Sequence, residues 1–286
     1  MDNQRLFLFV ALSFVLLLLW QSWMEDYGPA PQADAPVVEG QPAASAGAVP
    51  ASPVDTADIP GAPAEMAIMD RALPDTDVLK KGQFIDVETD LFHIKIDATG
   101  GDLRQADLLG YKATTEPDSP PFRLLNDSLP NLFVIQSGLR ASVGTEPTHH
   151  VVYTPEQTSY RMADDEDQLQ VSMLWRSPEG VEVVKRYIFH RGSYAVDLQH
   201  EVRNNSAAEW QGRQYRQLQR TQVAETGQSS FIYTYMGGVI YSPEEKYEKI
   251  KFDDMLDGDL DRTITDGWAA MLQHYFLSAL IPVRGE

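Results

Sequence analysis

The sequence contains no cysteine among its 286 residues. This absence excludes disulfide bonds, thiolate metal ligands and a cysteine nucleophile. Basic residues are also scarce. The chain has 23 Lys and Arg but 42 Asp and Glu, which gives a net charge of −19. Nucleic-acid phosphates require a basic surface, so we expect no nucleic-acid partner. A domain exported without disulfides must depend on the size of its hydrophobic core.

Sequence motifs of common catalytic sites are missing as well. The chain has no GxGxxG or GxxxxGK phosphate loop, no HExxH and no GxSxG. Its isolated glycine pairs at positions 100–101 and 237–238 are therefore predicted to be turns. We predict no catalytic residue, no cofactor-binding residue, no metal ligand and no cofactor.

A long apolar run occurs near the start of the chain. Residues 6–23 are almost wholly apolar and include 15 consecutive positions, LFLFVALSFVLLLLW, that only Ser13 interrupts. As a helix these 18 residues span about 27 Å, close to the thickness of a bilayer core. The run exceeds the apolar stretch of most secretion signals, and Trp20 and Trp23 suit the headgroup level. We favour an uncleaved transmembrane helix over a cleaved signal.

The flanking charges predict the orientation of this helix. Arg5 precedes the run, whereas Glu25 and Asp26 follow it. By the positive-inside rule, the N-terminus lies in the cytoplasm and the bulk of the chain is exported, which in a bacterium means the periplasm. Residues 1–24 thus form the cytoplasmic N-terminus and the anchor.

A proline- and alanine-rich segment separates the anchor from the rest of the chain. Nine of the 18 prolines lie between Pro29 and Pro74. No apolar period is sustained in this segment, so it cannot bury enough surface to offset the entropy of ordering. We predict that residues 25–80 are a disordered, semi-extended linker.

From residue 81 onward the pattern predicts an antiparallel β-sandwich or barrel. Apolar and polar residues alternate, and turn residues recur at roughly 8–12-residue spacing. No β-α-β rhythm is present, and only residues 243–251 offer a short helical turn or a charged loop. The predicted strands lie within residues 92–96, 103–111, 132–136, 151–153, 169–175, 181–189, 194–202, 231–241 and 268–280.

The charged residues and histidines form no recognisable catalytic set. Acidic stretches at 164–167 and 253–261 are predicted to be a hairpin turn and a solvated loop, because the second lacks the order of a calcium loop. Residues 202–205 and 213–220 are predicted to form one basic patch on a strand. The six histidines show no metal-ligand spacing: His93, His149, His150, His190, His200 and His274.

The order of these features resembles YidC-type membrane protein insertases. The resemblance begins with MDNQRLFLFVALSFVLLLLWQSW and the Pro/Ala-rich linker, and it continues through residues 87–111 and RGSYAVDL at 191–198. It ends with SPEEKYEKIKFDDM at 242–255 and GWAAMLQHYF at 267–276. These segments occur in the family's order over almost the whole chain.

The resemblance implies a fold and a function. It implies a mainly β chain with an N-terminal transmembrane helix and a mutarotase-like antiparallel β-supersandwich at residues 81–286. It also implies insertion and folding of bacterial inner-membrane proteins, alone or with the Sec translocon, without a cofactor or a covalent reaction. The implied partners are inner-membrane client proteins, SecYEG, SecDF and, through the N-terminal helix, the lipid bilayer.

One feature of the family is missing from this sequence. The insertase core of the family consists of five further transmembrane helices, whereas no second run of about 18 apolar residues occurs before Glu286. We therefore expect a fragment truncated within the periplasmic domain. The alternatives are a membrane-anchored carbohydrate-active enzyme of mutarotase or glycosidase type, and an anchored module that binds a peptide or glycan.

Overall fold

The computed structural model describes residues 82–222, 235–273 and 275–283, which belong to one compact unit. The predicted transmembrane helix (residues 6–23) and the predicted linker (residues 25–80) lie outside the described residues. Within the described residues, no helix has both the length and the apolar character needed to cross a membrane.

Strands dominate the described residues, and the prediction of a mainly β chain with antiparallel sheets is confirmed. The structure also places one short helix, α1 (Phe252–Asp257), in these residues. The strands are β1 (Phe84–Glu88), β2 (Phe92–Asp97), β3 (Asp102–Lys112), β4 (Pro121–Leu125), β5 (Phe133–Val143), β6 (Thr154–Pro155), β7 (Ser159–Arg161), β8 (Gln168–Arg176), β9 (Val181–His190), β10 (Val196–Asn204), β11 (Gln211–Arg220), β12 (Gly237–Ser242), β13 (Lys246–Ile250), β14 (Trp268–Gln273) and β15 (Phe276–Leu280).

The first sheet has seven strands in the order β11-β5-β3-β2-β1-β7, with β4 paired to β3. Its strands are antiparallel except for β1 and β7, which run parallel. On β2 the side chains of Phe92, Ile94 and Ile96 are buried, whereas those of His93 and Lys95 are half-buried. The predicted alternation is confirmed, because successive side chains of a strand point to opposite faces.

The turn between β2 and β3 contains the predicted glycine pair. Gly100 and Gly101 have φ angles of +74° and +65°. Glycine enters this left-handed region without the steric penalty of a Cβ atom. The turn connects Asp97, the last residue of β2, to Asp102, the first residue of β3, and these two residues are the last pair of the ladder before the turn.

The second sheet has four strands in the order β10-β9-β8-β6. On β9 every second side chain is buried, beginning with Val181 and ending with Phe189. The turn before β9 is stabilised by Ser177, whose Oγ accepts a hydrogen bond from the Val181 N–H at 3.1 Å. Strands β8 and β9, which this turn connects, pair antiparallel.

Both sheets contribute to one hydrophobic core. Large side chains of the first sheet, such as Ile94, pack with Met173 and Phe189 of the second sheet. Each such side chain stabilises the fold by about 1.5–3 kcal/mol when it is fully removed from water. The buried members of this core are Ile85, Val87, Phe92, Ile94, Ile96, Leu103, Ala106, Leu108, Leu125, Phe133, Tyr153, Tyr160, Met162, Val171, Met173, Tyr187 and Phe189.

A third sheet has four strands in the order β13-β12-β14-β15. Tyr241 and Trp268 stack across β12 and β14 with their ring centroids 5.6 Å apart. Phe276 and Met271 pack against the main core. The Phe276 ring stacks on that of Phe122 at 4.3 Å. This sheet is therefore joined to the first sheet by apolar contacts.

Several local predictions are wrong. Val152 makes only an isolated bridge to Thr99, because the predicted strand at 151–153 bends so that Tyr153 enters the core. The glycine pair at 237–238 begins β12 instead of forming a turn, since both glycines pair in its ladders. Residues 243–251 form no helical turn; they contain β13, which pairs with β12.

Other strand limits differ from the prediction. Strand β10 begins at Val196, two residues after the predicted start. The predicted segment 268–280 is two strands, β14 and β15, and β5 extends well beyond residue 136. Residues 231–234 of the predicted strand 231–241 lie outside the described residues. These differences reflect hydrogen bonding between distant segments, which local alternation does not encode.

Candidate functional site

A buried lysine lies where β9 crosses the glycine turn between β2 and β3. Lys185 is fully buried, and its Nζ donates hydrogen bonds to Gly100 O at 2.7 Å and Ser137 O at 3.0 Å. Its ammonium group is also 5.6 Å from the centroid of the Tyr187 ring. These contacts replace part of the hydration that the ammonium group loses on burial. A buried charge requires such compensation, because its transfer out of water is otherwise very costly.

Asp102 is a buried carboxylate near Lys185, and together with Arg104 these residues form a buried charged cluster. Asp102 Oδ2 accepts a hydrogen bond from Gln136 Nε2 at 3.0 Å and lies 3.6 Å from Nη2 of Arg104. Burial raises the pKa of Asp102, although the charges of Lys185 and Arg104 oppose this shift. Burial also lowers the pKa of Lys185 to about 8, although the charge of Asp102 opposes this shift. In both groups desolvation outweighs the attraction between the charges.

Asp97 completes the buried cluster. Its Oδ1 accepts hydrogen bonds from the Gly82 N–H at 2.9 Å and the Thr99 N–H at 2.8 Å. Its Oδ2 lies 3.8 Å from Nε of Arg104. The Asp97 carboxylate thus hydrogen-bonds both Gly82, just before β1, and the turn after β2, so its role is structural.

The buried cluster is a poor match for sugar chemistry. Glycosidases place two carboxyl groups on either side of a cleft that admits the sugar. Asp97 and Asp102 are each 0% exposed, so neither carboxylate faces solvent. The cluster joins the first sheet to the second. Its hydrogen bonds between the sheets explain the presence of these buried charged residues, and no substrate is needed to account for them.

The two adjacent histidines, His149 and His150, lie in a turn. His149 is buried, and its Nδ1 lies 2.6 Å from the hydroxyl of Tyr215. The His149 and His150 rings have centroids 4.1 Å apart. The opposite-face geometry expected of neighbours on a strand therefore does not apply to them. The described residues contain no group of three or more His, Asp or Glu placed to hold a metal ion.

The remaining histidines are dispersed. His93 lies 3.5 Å from Asp86, and His190 Nε2 lies 2.9 Å from Asp197 Oδ2. His200 Nδ1 is 2.6 Å from the side-chain amide of Gln214. Burial, with the nearby charges of Lys185 and Arg216, lowers the pKa of His200 well below its ordinary value. His274 lies outside the described residues.

The predicted basic patch is divided between two sheets. Arg203 lies on β10 and pairs with Glu201 at 2.6 Å. Arg216 lies on β11, where its Nη2 donates to Gln214 Oε1 at 2.7 Å and its Nη1 donates to Ile281 O at 3.2 Å. Arg203 and Arg216 thus interact with groups of the same domain.

The two acidic stretches have different structures. Residues 164–165 are a turn, but the predicted hairpin is wrong, because β7 pairs with β1 in the first sheet and β8 pairs with β9 in the second. The stretch at 253–261 is not a loop throughout, because its first part belongs to α1. Asp253 and Asp254 fall in the first turn of α1, where a negative charge complements the helix dipole.

A surface groove of about 740 Å³ lies between β13, α1 and the loop that follows α1. Its apolar part is formed by Ile250, Met255 and Leu260. The remaining lining consists of four carboxylates, one lysine and one glycine: Glu248, Asp254, Asp257, Asp259, Lys249 and Gly258. We call this feature the acidic groove. A lining that combines apolar side chains with carboxylates is complementary to a basic amphipathic segment.

Two carboxylates of the acidic groove already have partners. Glu248 Oε1 accepts a hydrogen bond from Arg262 Nη2 at 3.1 Å. Asp254 Oδ2 accepts one from the Lys251 N–H at 3.1 Å. Asp257 and Asp259 also line the groove, and they are exposed at the C-terminal end of α1 and just beyond it.

Known proteins similar to this chain include several named membrane protein insertase YidC. Its residues 84–286 match the family model of the YidC periplasmic domain. Membrane protein insertase YidC of Nitrosococcus oceani is 41% identical over 284 residues, which are 99% of this chain and 50% of that protein. The protein of that name from Alkalilimnicola ehrlichii is 43% identical over 287 residues, which are 100% of this chain and 49% of that protein.

The extent of these matches defines what is shared. The chain spans about half the length of the curated relatives it matches. The periplasmic-domain model, in contrast, covers most of the chain and includes every strand from β1 to β15. The resemblance seen in the sequence is therefore confirmed, and the chain belongs to the YidC family.

Proposed function

We propose that this chain is the N-terminal half of a membrane protein insertase of the bacterial inner membrane. Its residues 6–23 anchor it, with the N-terminus in the cytoplasm, and residues 25–80 connect the anchor to a periplasmic domain. The observation that carries this proposal is the match of residues 84–286 to the YidC periplasmic domain, together with about 40% identity to insertases over the whole chain.

In this proposal the chain catalyses no covalent reaction. Insertion requires that polar groups of a client be sheltered from hydrocarbon, because each unsatisfied group costs several kcal/mol there. One transmembrane helix cannot enclose such a group. The insertion step is therefore assigned to further helices of the insertase, and this half supplies attachment and a periplasmic surface. The fold assigned to residues 81–286 is the β-supersandwich implied by the family resemblance.

A chimera tests the division of labour. In cells depleted of their own insertase, residues 1–286 are expected not to restore growth or client insertion. A chimera in which this chain replaces the matching half of the Nitrosococcus oceani insertase is expected to restore both. Insertion is read by protease protection of a pulse-labelled inner-membrane client. Rescue by residues 1–286 alone would contradict the proposal, as would an inactive chimera that accumulates in the membrane.

We further propose that the acidic groove receives a basic segment of a partner, with SecYEG and SecDF as the candidates that the family suggests. Its support is the lining of the groove, which combines three apolar side chains with four carboxylates and one lysine. The exposed pair Asp257 and Asp259 would steer the partner, since charges at the rim of an interface act chiefly on the rate of association.

Charge reversal provides the test of this docking. Asp257→Lys combined with Asp259→Lys is expected to reduce co-purification of SecDF or SecYEG with the chimera at least several-fold. The matched control is Asp164→Lys combined with Asp165→Lys, which reverses two exposed acids in the turn between β7 and β8. Equal co-purification of the two double variants would count against the groove.

A further inference from the structure

The hairpin of β14 and β15, with the residues that follow it, lacks acidic and strongly basic side chains. Residues 268–283 contain no Asp, Glu, Lys or Arg and a single histidine, His274, although the whole chain has a net charge of −19. We call this segment the charge-free hairpin. A surface segment that avoids charge so completely is suited to an apolar environment.

The charge-free hairpin exposes large apolar side chains in a regular pattern. Tyr275, Val283 and Ile281 are the three most exposed large hydrophobic side chains of the described residues, at 85%, 71% and 67%. Leu277, which occupies an intervening odd-numbered position, is 52% exposed. Tyr275, Leu277, Ile281 and Val283 thus form an exposed apolar stripe along β15 and the residues on either side of it.

Contacts on the other side of the hairpin hold this stripe in place. Phe276 packs edge-to-face on Tyr111 with centroids 5.1 Å apart and stacks on Phe122 at 4.3 Å. Beyond β15, Ile281 O accepts a hydrogen bond from Arg216 Nη1 at 3.2 Å. The stripe therefore points away from the sheet to which the hairpin is fixed.

The tip of the hairpin has an unfavourable backbone conformation for its residue. Tyr275 has a φ angle of +74°, a region that bulky side chains rarely adopt and that glycine or asparagine would enter more readily. Its ring is also the most exposed large apolar group of the described residues. A bulky residue in this backbone conformation with an exposed ring is a candidate for a functional role.

We propose that the charge-free hairpin inserts its tip and outer stripe into the interface of the lipid bilayer. Tyrosine suits this depth, because its ring is apolar and its hydroxyl can reach the headgroups. The predicted anchor at residues 6–23 keeps the domain close to a bilayer, which raises the effective concentration of that surface. Elsewhere the acidic domain is repelled by anionic lipids, so a charge-free face is the one that can approach them.

This inference rests on the membrane attachment in the proposed function, but it does not depend on insertase activity. A lipid surface accounts for the apolar stripe, the aromatic tip and the absence of charge together. A protein partner or a second copy of the chain would account for the stripe as well. The experiment must therefore distinguish contact with lipid from contact with protein.

The absence of cysteine makes a site-specific test simple. Chains of residues 1–286 carrying Leu277→Cys, Leu256→Cys or Ser22→Cys are labelled with an environment-sensitive fluorophore and reconstituted into phosphatidylcholine vesicles. Leu256 is the matched control, since it is 62% exposed but lies in acidic α1. Ser22 reports the predicted anchor. Nitroxide-labelled lipids are then added as quenchers.

The expected result is quenching at position 277 that is several-fold stronger than at position 256, together with quenching at position 22. Quenching at 22 but not at 277 would overturn the hairpin inference and leave the anchor intact. If the fluorophore at position 277 is already shielded from water in the absence of lipid, the inference would also be overturned. Shielding that increases with protein concentration would identify a second copy of the chain as the partner of the hairpin. No quenching at either position would refute both the hairpin and the anchor.

Discussion

Replacing Lys185 by methionine is expected to lower the free energy of unfolding by about 3–5 kcal/mol. Methionine keeps most of the side-chain length but removes the donor that bonds Gly100 O and Ser137 O. It also removes one positive charge from the neighbourhood of the buried Asp102. Removal of one partner from a buried ionic cluster is strongly destabilising, because the remaining groups stay buried without compensation.

Urea unfolding of the full chain in a mild detergent, followed by circular dichroism, measures this loss. The matched control is Lys95→Met, since Lys95 on β2 is 38% exposed and 4.0 Å from Asp86. A change within about 0.5 kcal/mol is expected there. A stability of the Lys185 variant equal to that of the Lys95 variant would show that the buried ammonium contributes nothing to the fold.

The same variant should lose one component of the pH dependence of stability. Because burial lowers the pKa of Lys185 to about 8 from 10.5, the unfolded chain binds more protons than the folded chain between these values. Stability from this group therefore rises as the pH increases from about 8. Above pH 10 the raised pKa of Tyr187 acts in the opposite direction, so the useful window is pH 8–10. The rise should be absent from the Lys185→Met variant.

Alanine at Gly101 is expected to destabilise the domain by about 2–5 kcal/mol, which combines left-handed strain with overpacking. Gly101 has a φ angle of +65°, and an added Cβ would lie 2.6 Å from Met173 Sδ and 3.0 Å from Lys185 Cδ. Both neighbouring side chains are completely buried, so they have little room to move. The glycine is thus required by backbone conformation and by close packing at the same time.

Gly192→Ala separates these two causes. Gly192 has a φ angle of +69°, but no heavy atom lies within 4 Å of its added Cβ. It should therefore lose only about 1–2 kcal/mol from left-handed strain. The thermal midpoints of the two variants, measured on the full chain in detergent, provide the comparison. Equal losses would mean that packing against Met173 and Lys185 is unimportant.

Local patterns in the sequence predicted the strands that are buried on one face. Phe92, Ile94 and Ile96 alternate with polar residues, and the structure buries the apolar members of this pattern. The prediction failed where pairing with a distant strand decided the outcome. Gly237 pairs with Leu272 of β14, and this partner lies 35 positions further along the chain. Neither pairing nor its register is visible in a local window.

The buried charges were missed for a related reason. Lys185 occupies an inward position of β9, between Val183 and Tyr187, and the alternation alone would have placed it inside. A lysine at such a position usually argues against burial, because its charge must be compensated. Its compensation comes from the carbonyls of Gly100 and Ser137, which only the folded chain brings together.

The sequence by itself determined the family, the mainly β character and the absence of cysteine chemistry, because these properties depend on residue identity and local periodicity. Only the tertiary structure decided which surfaces and charges matter. It enclosed Lys185 and Asp102 between two sheets, and it turned Tyr275 and Leu277 outward on a charge-free hairpin. The physical reason is that burial and electrostatic compensation depend on contacts between residues far apart in the chain.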